Sequence, residues 1–151
     1  MSQVKRILLV EDDPRDLELT LTALEDYQLV NGVDVAHDGE EALDYLYRRG
    51  NFKTRDSSNP SVVILDLKLP KVSGLDVLRQ MKADENLKQV PVVILTSSRE
   101  EQDLITSYEL GVNAYVVKPV DFHKFVEAVK SLGVFWLVLN EAPHANPKNR
   151  S

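Results

Sequence analysis

Apolar residues gather along the chain in four short runs: Ile7-Leu8-Leu9-Val10, Val62-Val63-Ile64-Leu65, Val92-Val93-Ile94-Leu95 and Tyr115-Val116-Val117. Unbroken runs of this length suit strands buried on both faces, as in a parallel sheet covered by helices. Val33-Asp34-Val35-Ala36 alternates with a charge and suits an edge strand. Between the runs the spacing becomes helical. Leu17, Leu21 and Leu24 share a face behind Asp13-Pro14-Arg15-Asp16. That start offers an Asp N-cap, a proline at the first helical position and an acid in the first turn. Asp38-Gly39-Glu40-Glu41 opens a second helix through Ala42, Leu43 and Leu46, and Leu75, Leu78 and Met81 mark a third. Ser98-Arg99-Glu100-Glu101 is a capping-box pattern ahead of Leu104, Ile105 and Tyr108. Asp121 caps a last helix with Phe122, Phe125, Val126, Val129 and Leu132 on its inner face. Strand and helix alternate throughout, which predicts right-handed crossovers and a doubly wound α/β sandwich.

Two segments break this pattern. Residues 51–61, NFKTRDSSNPS, form a polar loop longer than most helix-to-strand connections. From Glu141 the chain reads EAPHANPKNRS, with two prolines and no apolar period, and is expected to be frayed. Neither separates two domains. With 151 residues, 43% of them apolar, the chain is long enough for one core. The expectation is a single domain over residues 4–139 with a tail over 140–151 and no output domain.

Charge and composition narrow the function. Lys plus Arg is 18 and Asp plus Glu is 24, a formal charge of −6. The basic residues cluster only as pairs, Lys5-Arg6 and Arg48-Arg49, so neither nucleic acid nor an anionic membrane is an expected partner. The absence of cysteine excludes disulfides, zinc-thiolate sites and cysteine nucleophiles, and makes a reducing, cytoplasmic compartment the default. No signal-peptide pattern opens the chain, and no stretch approaches the roughly 20 apolar residues of a membrane span. His37, His123 and His144 form no ligand pattern, and no glycine-rich nucleotide motif is present.

Candidate chemistry lies just after the apolar runs. Open α/β sheets bind ligands outside the carboxyl ends of their strands. The first run is followed by Glu11, Asp12 and Asp13, the next by Asp66, the next by Thr96, Ser97 and Ser98, and the last by Lys118 and Pro119. Taken singly, each residue also fits a turn, a cap or a solvated surface. Taken together they converge if the first and third strands are neighbours. Carboxylates from Glu11, Asp12 and Asp66 at one point repel, so either some hold a proton or a cation is bound. An oxygen-only set at an open rim suits Mg²⁺. A carboxylate beside Mg²⁺ can attack phosphorus, with Lys118 as a point charge and Thr96 as a hydroxyl donor for the phosphoryl oxygens. The implied product is an aspartyl phosphate.

VEDD at 10–13, ILDLKLPKVSG at 64–74, VVILTSS at 92–98 and AYVVKP at 114–119 together resemble the receiver domain of two-component response regulators. The resemblance covers about residues 4–132. It implies a flavodoxin-like three-layer (βα)5 sandwich with a five-stranded parallel sheet in the order 2-1-3-4-5. It implies Asp66 as phosphoacceptor, and Asp12, Asp66, the Lys68 carbonyl and Glu11, mainly through water, as the Mg²⁺ (or Mn²⁺) set. It implies Lys118 as the phosphate-binding lysine and Thr96 with Tyr115 as the switch pair. Gly74 matches the start of the third helix, and Lys68 and Ser98 flank the path of a hydrolytic water. The partners implied are a sensor histidine kinase and a downstream protein.

Gly133-Val134-Phe135-Trp136-Leu137-Val138-Leu139 is apolar all round, so one inward face cannot bury it. It either folds back over the domain's own core or forms a partner surface, most simply a homodimer. Tyr115, Phe135 and Trp136 are the residues expected there. The long loop and this FW-containing extension resemble the stand-alone receivers that partner bacterial, especially cyanobacterial, phytochromes. Two other readings remain. A hydrolase of the aspartyl-phosphate type needs a general-acid Asp two residues after its nucleophile, where this chain has Lys68. A binding-only scaffold does not need the full set of Glu11, Asp12, Asp66, Thr96 and Lys118.

Overall fold

The computed structural model describes residues 6–25, 32–55, 59–96, 114–119 and 121–131. The strands are β1 (Ile7–Val10), β2 (Val33–Ala36), β3 (Val62–Asp66), β4 (Val92–Thr96) and β5 (Tyr115–Val117). The helices are α1 (Pro14–Glu25), α2 (Gly39–Tyr47), α3 (Gly74–Ala83) and α4 (Phe122–Ser131), with a 3-10 turn at Gly50–Phe52. One parallel five-stranded sheet runs in the order β2-β1-β3-β4-β5. This is the flavodoxin-like order expected from the resemblance, with Val33–Ala36 at an edge. The helix expected after Ser98, the Phe135-Trp136 run and the tail lie outside the described residues.

Each strand sends alternate side chains to opposite faces of the sheet. On one face Leu8, Val10, Val63, Leu65 and Ile94 pack against Leu43 and Leu46 of α2 and Val77, Leu78 and Met81 of α3. On the other, Ile7, Leu9, Ile64, Val93, Leu95 and Val116 pack against Leu24 of α1 and Phe125 and Ala128 of α4. Two apolar layers around one buried sheet explain why the strand runs carry no polar alternation.

The helix starts follow the capping chemistry. Asp13 Oδ1 accepts from the amides of Arg15 and Asp16, Asp38 Oδ1 from Glu41 at 2.7 Å, and Asp121 Oδ1 from Lys124 at 2.9 Å. Ser73 caps α3 by accepting from the Asp76 amide at 3.1 Å. Arg55, in the long loop, donates from Nε and Nη2 to the Tyr45 carbonyl at 3.0 and 2.7 Å. Its guanidinium lies 4.1 Å from the Tyr45 ring centroid. The Tyr45 hydroxyl donates to Asp34 Oδ2 at 2.6 Å, and Arg6 pairs with the same oxygen at 2.8 Å. Burial, with the Asp34 carboxylate beside it, pushes the Tyr45 hydroxyl's pKa up, so it stays a donor. Asn59 and Ser61 tie the loop's far end to the Asn86 and Arg6 carbonyls at 2.8 Å each.

Two glycines permit close backbone contacts at the loops leaving the sheet. A Cβ at Gly39 would sit 1.8 Å from the Val72 carbonyl oxygen, and one at Gly74 would sit 2.1 Å from that of Asp66. Gly74 therefore lets α3 begin directly against the end of β3. Gly74→Ala is expected to lower stability by about 1–3 kcal/mol, the usual scale of overpacking. A shift in the urea midpoint with unchanged slope checks this, and a variant as stable as the parent would refute the close-packing account.

Candidate functional site

All strands are parallel, so their carboxyl ends share one edge of the sheet. The register sets Val10 beside Leu65, Asp66 beside Leu95, and Thr96 beside Val117. Glu11, Asp66, Thr96 and Lys118 therefore leave the sheet at the same level. Glu11 is fully buried and its amide bonds the Ala36 carbonyl at 3.0 Å. Asp66 is buried and Asp12 is exposed. Carboxylate oxygens of Glu11, Asp12 and Asp66 all lie within 4.8 Å of one another. Three hard oxygen ligands in this arrangement, one of them at an open rim, fit a divalent cation such as Mg²⁺ or Mn²⁺.

The Asp66 carboxylate is held from both sides. Oδ1 accepts from the Lys68 amide at 3.1 Å, and Oδ2 accepts from Lys118 Nζ at 2.9 Å. The Lys68 side chain itself is exposed. The Lys118 ammonium also lies 3.0 Å from Glu11 Oε1 and 3.0 Å from Asp16 Oδ2. The Asp16 contact is an aligned hydrogen bond. The Glu11 contact has ion-pair distance without that alignment, and Oε1 is buried with no aligned donor among the described residues. The Lys118 amide donates to the Thr96 carbonyl at 2.8 Å, and the following Lys118-Pro119 peptide is cis. Lys118 is thus a half-buried structural ion as well as a charge at the rim.

Burial pushes the Glu11 carboxyl up to a pKa of about 8, and its hydrogen bond and repulsion with Asp66 act in the same direction against the pull of Lys118. Glu11 therefore keeps a proton at neutral pH when no cation balances the cluster. For Lys118, burial works against the charge, but hydrogen bonds to Asp66 and Asp16 outweigh it and raise the pKa. The ammonium is charged throughout the physiological range.

The remaining expected residues fall in distinct places. Thr96 is fully buried, and its Oγ1 has no hydrogen-bond partner among the described residues. An orphaned hydroxyl at the carboxyl end of β4 is costly unless something completes it. Tyr115 is half-buried on β5 and packs against the α2–α3 side of the core. His37 and His123 are exposed and stand apart from the acidic cluster. Ser98, Phe135 and Trp136 lie outside the described residues. The partner that sequence reasoning missed is Asp16. Its acid reads as an ordinary complement to the helix dipole. No short-range pattern singled it out, because its pairing with Lys118 joins residues 102 apart in the chain.

The raised Glu11 pKa sets a pH dependence. Without a cation the folded state holds a proton that the unfolded chain releases at its ordinary value of 4.5, so stability falls as pH rises from there to about 8. Divalent binding must displace that proton. Mn²⁺ affinity is expected to rise by about tenfold per pH unit below pH ~8 and to level off above it. Calorimetry in buffers of different ionisation enthalpy should detect about one proton released per ion at pH 7. A pH-independent affinity would contradict a protonated Glu11.

Residues 7–130 match the response regulator receiver domain family. The chain is 39% identical over 138 residues to the probable methanogenesis regulatory protein FilR2 of Methanothrix harundinacea, covering 91% of this chain and 86% of that protein. It is 37% identical over 141 residues to the response regulator Rcp1 of Synechocystis, covering 93% and 95% respectively. The Mn²⁺-bound crystal structure of Rcp1 superposes with a TM-score of 0.70 at 38% identity, over 88% of this chain and 94% of that one. The bacteriophytochrome response regulator AtBRR superposes with a TM-score of 0.87 at 63% identity, over 93% of this chain and 100% of that one. With sequence and fold matching along the same residues, the chain belongs to the response regulator receiver domain family of two-component systems, signalling modules rather than enzymes in the ordinary sense.

Proposed function

We propose that the chain is switched by phosphorylation of Asp66, with Mg²⁺ held by Glu11, Asp12, Asp66 and the Lys68 carbonyl. The observation that carries this reading is the Asp66 carboxylate, buried yet held at one oxygen by the Lys68 amide and at the other by Lys118. In the transfer, an Asp66 oxygen bonds to phosphorus as the phosphorus–nitrogen bond of a phosphohistidine breaks. The imidazole leaves with the electron pair. A bound cation would offset the repulsion between the attacking carboxylate and the anionic phosphoryl group. Lys118 meets the charge on the phosphoryl oxygens, which loose phosphoryl transition states spread over all of them. Glu11 enters this state deprotonated.

The phosphoryl group then offers Thr96 Oγ1 the acceptor it lacks. Movement of Thr96 toward it vacates space into which the Tyr115 ring turns, so a local charge change biases a packing change on β5. The donor is a histidine kinase. A phytochrome kinase is the specific choice, because bacteriophytochrome response regulators are among the structures most similar to this chain. That pairing gives a cytoplasmic setting, with residues 4–139 as the receiver. Output passes to a downstream protein and to a homodimer through Tyr115, Phe135 and Trp136. No helix among the described residues is long and apolar enough to cross a membrane.

Incubation with a labelled phosphodonor and Mg²⁺ should label the parent chain and not Asp66→Ala; retained label in that variant would sink the assignment. Thr96→Ala should still accept the label but lose the phosphorylation-linked change. Size-exclusion chromatography with light scattering, with and without a phosphoryl mimic and Mg²⁺, reads that change. A Thr96→Ala protein that switches like the parent would remove Thr96 from the relay.

A further inference from the structure

An ammonium carries three protons, and among the described residues Lys118 faces three carboxylates: Glu11, Asp16 and Asp66. In the proposed reaction two of these change partners. Asp66 becomes an acyl phosphate, and Glu11 would give its charge to a bound cation. Asp16 does neither, because it stands outside the group formed by Glu11, Asp12 and Asp66. It comes from α1, whose placement is set separately by the Asp13 cap and by Leu17, Leu21 and Leu24 against the sheet. The Asp16–Lys118 bond is 3.0 Å long, and the two side chains are only 29% and 17% exposed. Solvent screens such a pair much less than it screens a surface pair.

The lysine's other end is also tied down. Its amide bonds the Thr96 carbonyl at 2.8 Å. Lys124 on α4 donates to the carbonyls on either side of Lys118, at 3.3 Å to Val117 and 3.1 Å to Pro119. Between these ends runs a flexible four-carbon stem. Once Asp66 and Glu11 release the ammonium, Asp16 is the only one of its three carboxylates left to hold it.

We propose that Asp16 is a positioning residue for phosphoryl transfer, holding the Lys118 ammonium in place while Asp66 and Glu11 change partners. This rests on Asp66 being the phosphoacceptor. In the step it serves, an Asp66 oxygen bonds to phosphorus as the bond to the donor's leaving atom breaks, and the leaving group departs with the electron pair. Asp16 moves no proton. It fixes the ammonium so that the N–H groups not bonded to Asp16 can turn to the phosphoryl oxygens without the lysine stem moving away. The opposing possibility is that Asp16 merely drains charge from Lys118. The two differ in sign. An anchor slows the reaction when removed, and a competitor speeds it.

The test uses the full chain with Mg²⁺ and acetyl phosphate, from which acetate is the leaving group. Asp16→Ala is expected to lower the phosphorylation rate constant at saturating donor by roughly tenfold. Asp16→Asn keeps an oxygen acceptor and is expected to stay within about threefold of the parent. Asp16→Ser serves should the alanine variant fail to fold. Two further readouts separate positioning from general damage. Mn²⁺ affinity should stay within about twofold, since Asp16 is no ligand. With Mg²⁺ added, so that Glu11 and Asp66 turn to the cation, the Lys118 ammonium nitrogen resonance should be protected from exchange in the parent and Asp16→Asn, and lost in Asp16→Ala. An unchanged or faster rate in Asp16→Ala overturns the proposal, as does a rate loss matched by lost Mn²⁺ affinity. Labelling of Asp66→Ala under the same conditions would instead bring down the phosphoacceptor reading itself.

Discussion

The half-buried ammonium of Lys118 holds the carboxyl edge of this sheet together. Glu11 follows β1, Asp16 opens α1, Asp66 ends β3, and all three reach Lys118 beyond β5. Without a cation among them, carboxylates this close would repel by several kcal/mol at the reduced dielectric of a protein interior. Strand order is what makes the contact available. β4 separates β3 from β5, so Lys118 must reach back across the end of β4, and its amide bond to Thr96 sets it there. The geometry of the site is therefore a property of the sheet's topology and not of any one loop.

The same charge problem has a second answer at Glu11. One ammonium cannot balance every acid in the cluster, and the remainder is met by a proton whose pKa is about 8. A divalent cation would be a third answer, and it replaces the proton. Proton, lysine and metal act on one electrostatic balance, so none of them can change without the others responding. Thr96 stands beside this balance with a hydroxyl that has no partner among the described residues. That leaves one neutral group able to respond to a new anion without adding charge.

Much of this architecture is legible in the chain itself. Unbroken apolar runs mark strands covered on both faces, and residues that follow such runs must meet at one edge once the strands are parallel. This is why Glu11, Asp12, Asp66, Thr96 and Lys118 emerge together from the sequence. Asp16 does not, because an acid in a first helical turn already has a sufficient local explanation. The Glu11 proton is also hidden, since it depends on how fully that one carboxylate is enclosed. Val77 and Ala128 are buried core residues that the helical spacing passed over, and Ser73 is a cap hidden in a loop motif read for other reasons. The Tyr45–Asp34 bond joins residues on separate elements, and no short-range pattern announces it.

The long connection between α2 and β3 illustrates a separation of duties along one strand. Arg55 clamps it beneath the end of α2, and Ser61 pins it to Arg6 where β3 begins. Asp66 stands at the opposite end of β3, roughly 13 Å further on at the usual strand rise. Every residue between, from Val62 to Leu65, is locked between neighbouring strands and buried on both faces. Such a segment transmits little bending, so insertions or substitutions in the loop are insulated from the chemistry at the rim.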